Sequence, residues 1–182
     1  SLLVSQDEPR VAGGIVESYR RLSRGLVEGL CRLGAEALQS LPLQGGLQEK
    51  SAACFDAPSH YEITVDGKKL VGSAQMRRKG MVLQHGSLPL RGDIGRIMDY
   101  LIMPSEERRE FLRTDLRGRA ATLEEVLGRV VPDDEVAAAL AAGLSSALEL
   151  DLVPGELTAH ERELADTLYR EKYSTDKWNA MR

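Results

Sequence analysis

Tyr61-Glu62-Ile63-Thr64-Val65-Asp66-Gly67-Lys68-Lys69-Leu70-Val71-Gly72-Ser73-Ala74-Gln75-Met76-Arg77 reads as two strands and the turn that joins them. Tyr61 to Val65 alternates in polarity, Asp66-Gly67 is a two-residue hairpin signal, and Lys69 to Arg77 returns. Gly80 breaks the run, and Met81 to Leu90 supplies a third strand carrying Gln84-His85-Gly86-Ser87. Three consecutive strands with short turns make an antiparallel meander.

Helical signals flank this meander. After Gly13-Gly14, apolar residues recur at Ile15, Tyr19, Leu22, Leu26, Leu30 and Leu33, and Gly34 supplies the stop. Gly25 and Gly29 lie one turn apart within that helix, where they let another element approach closely. Residues 41–52 are rich in turn formers and read as a mobile loop ending at Cys54. Beyond Asp93 the pattern is helical. Thr122–Glu125 and Thr158–Glu161 are capping boxes. A helix from Asp133 or Asp134 carries Val136, Leu140, Leu144 and Leu148 on one stripe, and a last helix carries Leu164, Leu168 and Tyr173. The expected class is α+β, an antiparallel sheet with flanking helices, in a single domain over 1–182.

Composition narrows the function. With 42% hydrophobic and 29% charged residues, the 182-residue chain has a globular composition and enough length for a real core. Its net charge of −4 argues against a polyanion binder, so no nucleic-acid role is expected. Two cysteines, Cys31 and Cys54, form no disulfide framework, and the scattered His60, His85 and His160 suggest no metal. No apolar run approaches membrane-spanning length, and a reduced cytoplasmic setting is the simplest expectation.

Several residues stand out chemically. A thiolate is a good nucleophile, and a nearby cation lowers a thiol's pKa. A cysteine in a globular chain is more often an inert small hydrophobe, and Cys31, inside the first helix, reads that way. Cys54 differs in bordering a turn-rich loop and preceding polar Asp56, Ser59 and His60. Lys68 and Lys69 follow the hairpin turn on opposite sides of the strand, so that with Lys69 on the face of Val71 and Ser73, pointing into the concave side, Lys68 would reach solvent. Gly72 and Gly86 sit inside adjacent strands, which signals either a narrow groove or a pair of bulges. His85 reads as an acid–base group or as a hydrogen-bonded sheet histidine. Arg77-Arg78-Lys79 and the arginines at 108, 109, 113, 117 and 119 read as solvated faces or as basic patches for an acidic carrier domain.

Taken together, Cys54-Phe-Asp-Ala-Pro-Ser-His-Tyr-Glu-Ile63, Gly67-Lys-Lys-Leu-Val-Gly-Ser-Ala-Gln75 and Leu83-Gln-His-Gly-Ser-Leu88 resemble the biotin/lipoate A/B protein ligase family. The LipM-type octanoyltransferase branch is the best match, with lipoate–protein ligase A next. The resemblance continues through Met103-Pro-Ser-Glu-Glu107 to Glu171-Lys-Tyr-Ser-Thr-Asp-Lys-Trp-Asn179. It implies that Lys69 contacts the acyl carbonyl and that Cys54 is the acyl-carrying nucleophile. Gly72 and Ser73 would line the acyl slot, with His85 and Gly86 near it.

The implied activity is transfer of an octanoyl or lipoyl group from acyl carrier protein to a lysine of a lipoyl-accepting protein, such as glycine cleavage H protein. That reaction needs no cofactor. Two alternatives are an ATP-dependent lipoate–protein ligase, which needs ATP, Mg and lipoate, and a noncatalytic module that binds carrier domains. Family members also carry an upstream Arg-Arg-x-Thr-Gly-Gly-Gly-type loop that residues 1–182 do not match. Ser1 to Ser5 reads as the strand after that loop, so the expectation is a chain lacking its N-terminal portion, or one completed by a second chain.

Overall fold

The computed structural model describes residues 1–39 and 62–181, which divide into two compact units, Ser1–Asp151 and Leu152–Arg182. The loop expected over 41–52, Cys54 and His60 lie outside the described residues.

The first unit is built on a five-stranded antiparallel sheet in the order β1-β5-β4-β3-β2. Its strands are β1 (Leu2–Ser5), β2 (Leu38–Gln39), β3 (Ile63–Val65), β4 (Lys68–Arg78) and β5 (Met81–Ser87). Both tight turns of the expected meander are present. Asp66 and Gly67 have φ of 50° and 75°, and Lys79 and Gly80 have 52° and 74°, the double positive φ that suits a twisted hairpin.

The third strand stops at Ser87, short of the expected Leu90, with Gly72↔Ser87 as its last pair with β4. Pro89 has no N–H to give a ladder. The Pro89 and Leu90 carbonyls instead accept the backbone N–H groups of Leu123 and Glu124, at 2.8 and 2.9 Å, at the start of the helix Leu123–Leu127.

One face of the sheet is covered by helix α1 (Ile15–Arg32). Gly34, at φ 97°, turns the chain beyond its end. Leu30 and Leu33 meet Ile63, Val65 and Val71, while Leu22 joins Val11, Val82 and Leu148 in an adjoining cluster. Cys31 lies off this stripe and is exposed, rather than packed as a small hydrophobe.

Arg77 is tied to backbone, and the arginines of the following helix are largely paired with acids. Arg77 threads back beneath α1, donating to the Val11 and Gly13 carbonyls at 2.9 Å each and to Ser18 Oγ at 2.7 Å. In α2 (Glu106–Arg119), Arg117 pairs with Asp93 at 2.6 Å, Arg113 with Asp99 and Glu110, and Arg119 with Asp115. Both expected capping boxes form, Thr122–Glu125 at the start of α3 (Leu123–Leu127) and Thr158–Glu161 at the start of α5 (Ala159–Leu168).

Helix α4 (Asp133–Leu148) packs against α1. In the second unit, α5 does not run on through Tyr173. A widened turn over Tyr169–Tyr173 interrupts it before α6 (Asp176–Asn179), and the Tyr173 and Trp178 rings meet edge to face at 5.1 Å. Among the described residues no helix is long and apolar enough to cross a membrane.

Candidate active site

The turn and β4 place the candidate residues, and an irregularity in their pairing decides which way they point. Ile63 pairs with Val71, but Thr64 pairs with Lys69, so Leu70 is an extra residue in β4. Such a bulge interrupts the two-residue alternation of side chains.

Directly paired residues share a face of the sheet. Gln75 and Arg77 lie on the α1 side, where Ser18 Oγ donates to Gln75 Oε1 at 3.0 Å. Ser73 and Val71 follow by alternation on the same side, and Ile63 by pairing with Val71. Thr64 and its partner Lys69 therefore belong to the opposite face, with Gly72 and Ala74. The expectation that Lys69 shares a face with Val71 and Ser73 is corrected here. Strict alternation predicts it, and the extra Leu70 reverses it. Lys68, expected in solvent, is half-buried opposite Val65.

The backbone at Lys69 is held from two sides. Its strand pairs with β3, and its carbonyl accepts the Ala121 N–H at 3.0 Å, in a parallel bridge between Lys69 and Ala120. The side chain is buried too. Lys69 Nζ donates to Glu62 Oε1 at 2.5 Å, and the two side chains are only 7% and 10% exposed. Removing two charges from water is costly, so an ion pair in this setting depends on close geometry.

The remaining candidates divide between the two faces. Gly72 shares the Lys69 face, as does His85, which pairs with Ala74 and whose Nδ1 lies 2.7 Å from Ser1 Oγ. His85, Ala74 and Ser87 are exposed there. Ser73 and Gly86 pair with each other on the α1 side. A Cβ on Gly86 would come within 2.6 Å of Ser73 Oγ, so glycine is needed for this close pairing. Above it, burial pushes the Tyr19 phenol up; a hydrogen bond with Ser73 opposes that rise, and the Glu62 carboxylate adds to it. Lys69, Gly72 and His85 are thus brought to one face, and Ser73 and Gly86 to the other. Cys54 lies outside the described residues.

Sequence reasoning passed over Glu62 and Tyr19. Glu62 reads as the polar member of an alternating strand, and Tyr19 as one apolar position of a helical stripe. The only available hint is an acid close to a lysine across a two-residue turn, and the bulge that redirects Lys69 carries no clear signature.

This arrangement presents a buried ammonium, paired with a carboxylate, on the sheet face that Gly72 shares. Such a group can donate to a carbonyl oxygen and stabilise negative charge developing on it.

Comparison with known proteins gives a consistent picture. Residues 1–145 match the family described as the lipoyl protein ligase A/B catalytic domain. The octanoyltransferase LipM of Kyrpidia tusciae is 46% identical over 183 residues, covering 98% of this chain and 66% of that protein. The octanoyltransferase LipM of Bacillus subtilis is 36% identical, covering 100% of this chain and 67% of that protein. The chain thus spans about two thirds of the length of these relatives. Among solved structures, a bipartite lipoate protein ligase from Thermoplasma acidophilum superposes with a TM-score of 0.75 at 27% identity, covering 97% of this chain and 61% of that one. A lipoate-protein ligase A bound with ATP gives a TM-score of 0.71 at 26% identity, covering 97% of this chain and 62% of that one.

Proposed function

Starting from the fact that the chain belongs to the lipoyl protein ligase A/B catalytic-domain family, we propose that it is the catalytic portion of an octanoyltransferase. The donor is octanoylated acyl carrier protein, and the acceptor is a lysine of a lipoyl-domain protein such as glycine cleavage H protein. The observation that carries this reading is Lys69, turned by the bulge onto the face of Gly72 and His85 and paired with Glu62. Relatives that are 46% and 36% identical, both named octanoyltransferases, support the choice of reaction.

The proposed chemistry has two steps. Cys54 thiolate attacks the donor thioester carbonyl, and the C–S bond to the carrier breaks as the carrier thiolate departs. The octanoyl group then sits on Cys54 as a new thioester. The acceptor lysine, as free amine, attacks that carbonyl, loses a proton and expels Cys54 thiolate, leaving an amide. In both steps Lys69 donates to the carbonyl oxygen as it becomes an oxyanion, an interaction typically worth about 3–4 kcal/mol. One thioester replaces another, so the transfer needs no ATP. Gly72 and His85 line the approach to Lys69. Ser73 and Gly86 act from the opposite face, by holding the strand pair together.

Mass spectrometry of the full-length enzyme after incubation with octanoylated carrier tests this directly. An octanoyl adduct on Cys54 is expected, lost in C54S together with transfer. Normal transfer by C54S overturns the proposal.

Likeness to lipoate-protein ligases, one of them bound with ATP, favours a second reading, in which lipoate is activated as an adenylate. Transfer of free lipoate that depends on ATP and survives C54S selects that reading.

A further inference from the structure

We propose that Glu62 is the positioning residue for Lys69: it holds the ammonium where it meets the acyl carbonyl oxygen, and transfer depends on it. This rests on the octanoyltransferase reading above and assigns a role to a residue outside the motifs that carry it.

Three observations support it. Glu62 and Lys69 lie seven residues apart, on either side of a two-residue turn, and both are almost completely buried. A lysine side chain has four flexible bonds, and an ammonium with no fixed partner samples many orientations. Here Glu62 Oε1 holds Nζ at 2.5 Å, while the pairing with Thr64 and the Ala121 N–H fix the backbone beneath it. An ammonium has three donors, so a carboxylate can orient it through one while a carbonyl oxygen is bound by another. An oxyanion donor is effective only when it is already aimed at the position the oxyanion will occupy. The carboxylate supplies that aim.

Steady-state kinetics of the full-length enzyme test the assignment, with octanoylated acyl carrier protein as donor and a lipoyl domain as acceptor. E62Q keeps the size of the side chain and loses its charge. It is expected to lower kcat by roughly 10- to 100-fold, the scale of a misplaced oxyanion donor, with KM for the donor within about twofold. E62A is expected to lose as much and to regain part of its rate in formate, which fits the vacated space and returns a carboxylate to Lys69. Formate should leave wild type and K69A unchanged. If E62Q is too unstable to assay, E62D serves instead, with a fall of about fivefold or more in kcat and unchanged KM expected from the retracted carboxylate.

A kcat for E62Q, or for E62D in its place, within twofold of wild type overturns the Glu62 assignment, as does a loss confined to KM. A failure of formate to raise the E62A rate also counts against it. These results leave the octanoyltransferase reading standing so long as K69A is inactive. Normal transfer by K69A removes that reading itself.

Discussion

Gly143 of α4 rests directly against the backbone of Gly29 in α1: a Cβ built on Gly143 would lie 2.2 Å from the Gly29 nitrogen and 2.4 Å from the Gly25 carbonyl oxygen. Three glycines therefore set how closely the two helices cross. A Cβ built on Gly25 or on Gly29 would in turn lie 2.8 Å from the Leu144 Cα or 2.7 Å from the Leu140 Cα. The obstructing atoms are backbone, so they cannot rotate out of the way. G143A is expected to destabilise the protein by about 1–3 kcal/mol despite alanine's better helix propensity, with a correspondingly lower midpoint in urea. A midpoint equal to wild type would show that the crossing tolerates a methyl group.

Ser73 and Gly86 make a second tight contact, this time across β4 and β5. The nearest atom to a Cβ on Gly86 is Ser73 Oγ at 2.6 Å, followed by the Gly72 carbonyl oxygen at 3.0 Å. G86A is expected to cost roughly 1–3 kcal/mol. S73A removes the nearest obstruction, so the double variant should be more stable than the two single losses predict. A double-mutant cycle by thermal denaturation reads this as a coupling of about 0.5 kcal/mol or more, and strict additivity would contradict it.

The buried Glu62–Lys69 pair makes a stability prediction distinct from its role in transfer. K69M removes the ammonium that faces the buried Glu62 carboxylate, and a loss of roughly 3–5 kcal/mol is expected. Replacing both residues, in E62L/K69M, removes the buried charges together and should recover most of that loss while abolishing transfer. Chemical denaturation of the three proteins measures both differences. An equally unstable double variant would show that packing, rather than charge burial, sets the cost.

Asp93 gives a pH-dependent contrast. The Arg117 side chain and the Gly95 N–H both donate to its carboxylate, which lowers its pKa from 3.8 to about 2. A depressed carboxylate pKa stabilises the fold above the unfolded-state value, and that stability is lost as pH falls through the folded-state value. The contribution is therefore constant above about pH 5 and disappears between about pH 4 and 2. The Asp93 side chain is 42% exposed, so screening by solvent limits the effect to about 1 kcal/mol or less. Melting curves of wild type and D93N should differ by a small, constant amount near neutrality and converge at the acid end. A gap that widens toward low pH would count against this assignment.

Much of the architecture was legible from local chemistry. Asp66-Gly67 adopts a backbone that only a few residue types accept easily, and Gly80 marks the break before the third strand, so the meander could be read directly. The stripe from Ile15 to Leu33, the capping boxes at Thr122 and Thr158, and the glycines at 25 and 29 were similarly explicit, because each expresses a constraint within one or two turns of chain.

The amino-acid sequence by itself determined the meander, its flanking helices, the place of a close helix crossing and the motifs that match the family. Tertiary structure alone decided which face each candidate occupies. Alternation assigns Lys69 to the side of Val71 and Ser73, and one extra residue in β4 moves it to the side of Gly72 and His85. A bulge depends on how two strands register against each other, as does the burial of Glu62 beside Lys69. Neither shows in the pattern of residue types, because both arise only when the two strands register against each other and the rest of the fold packs over them.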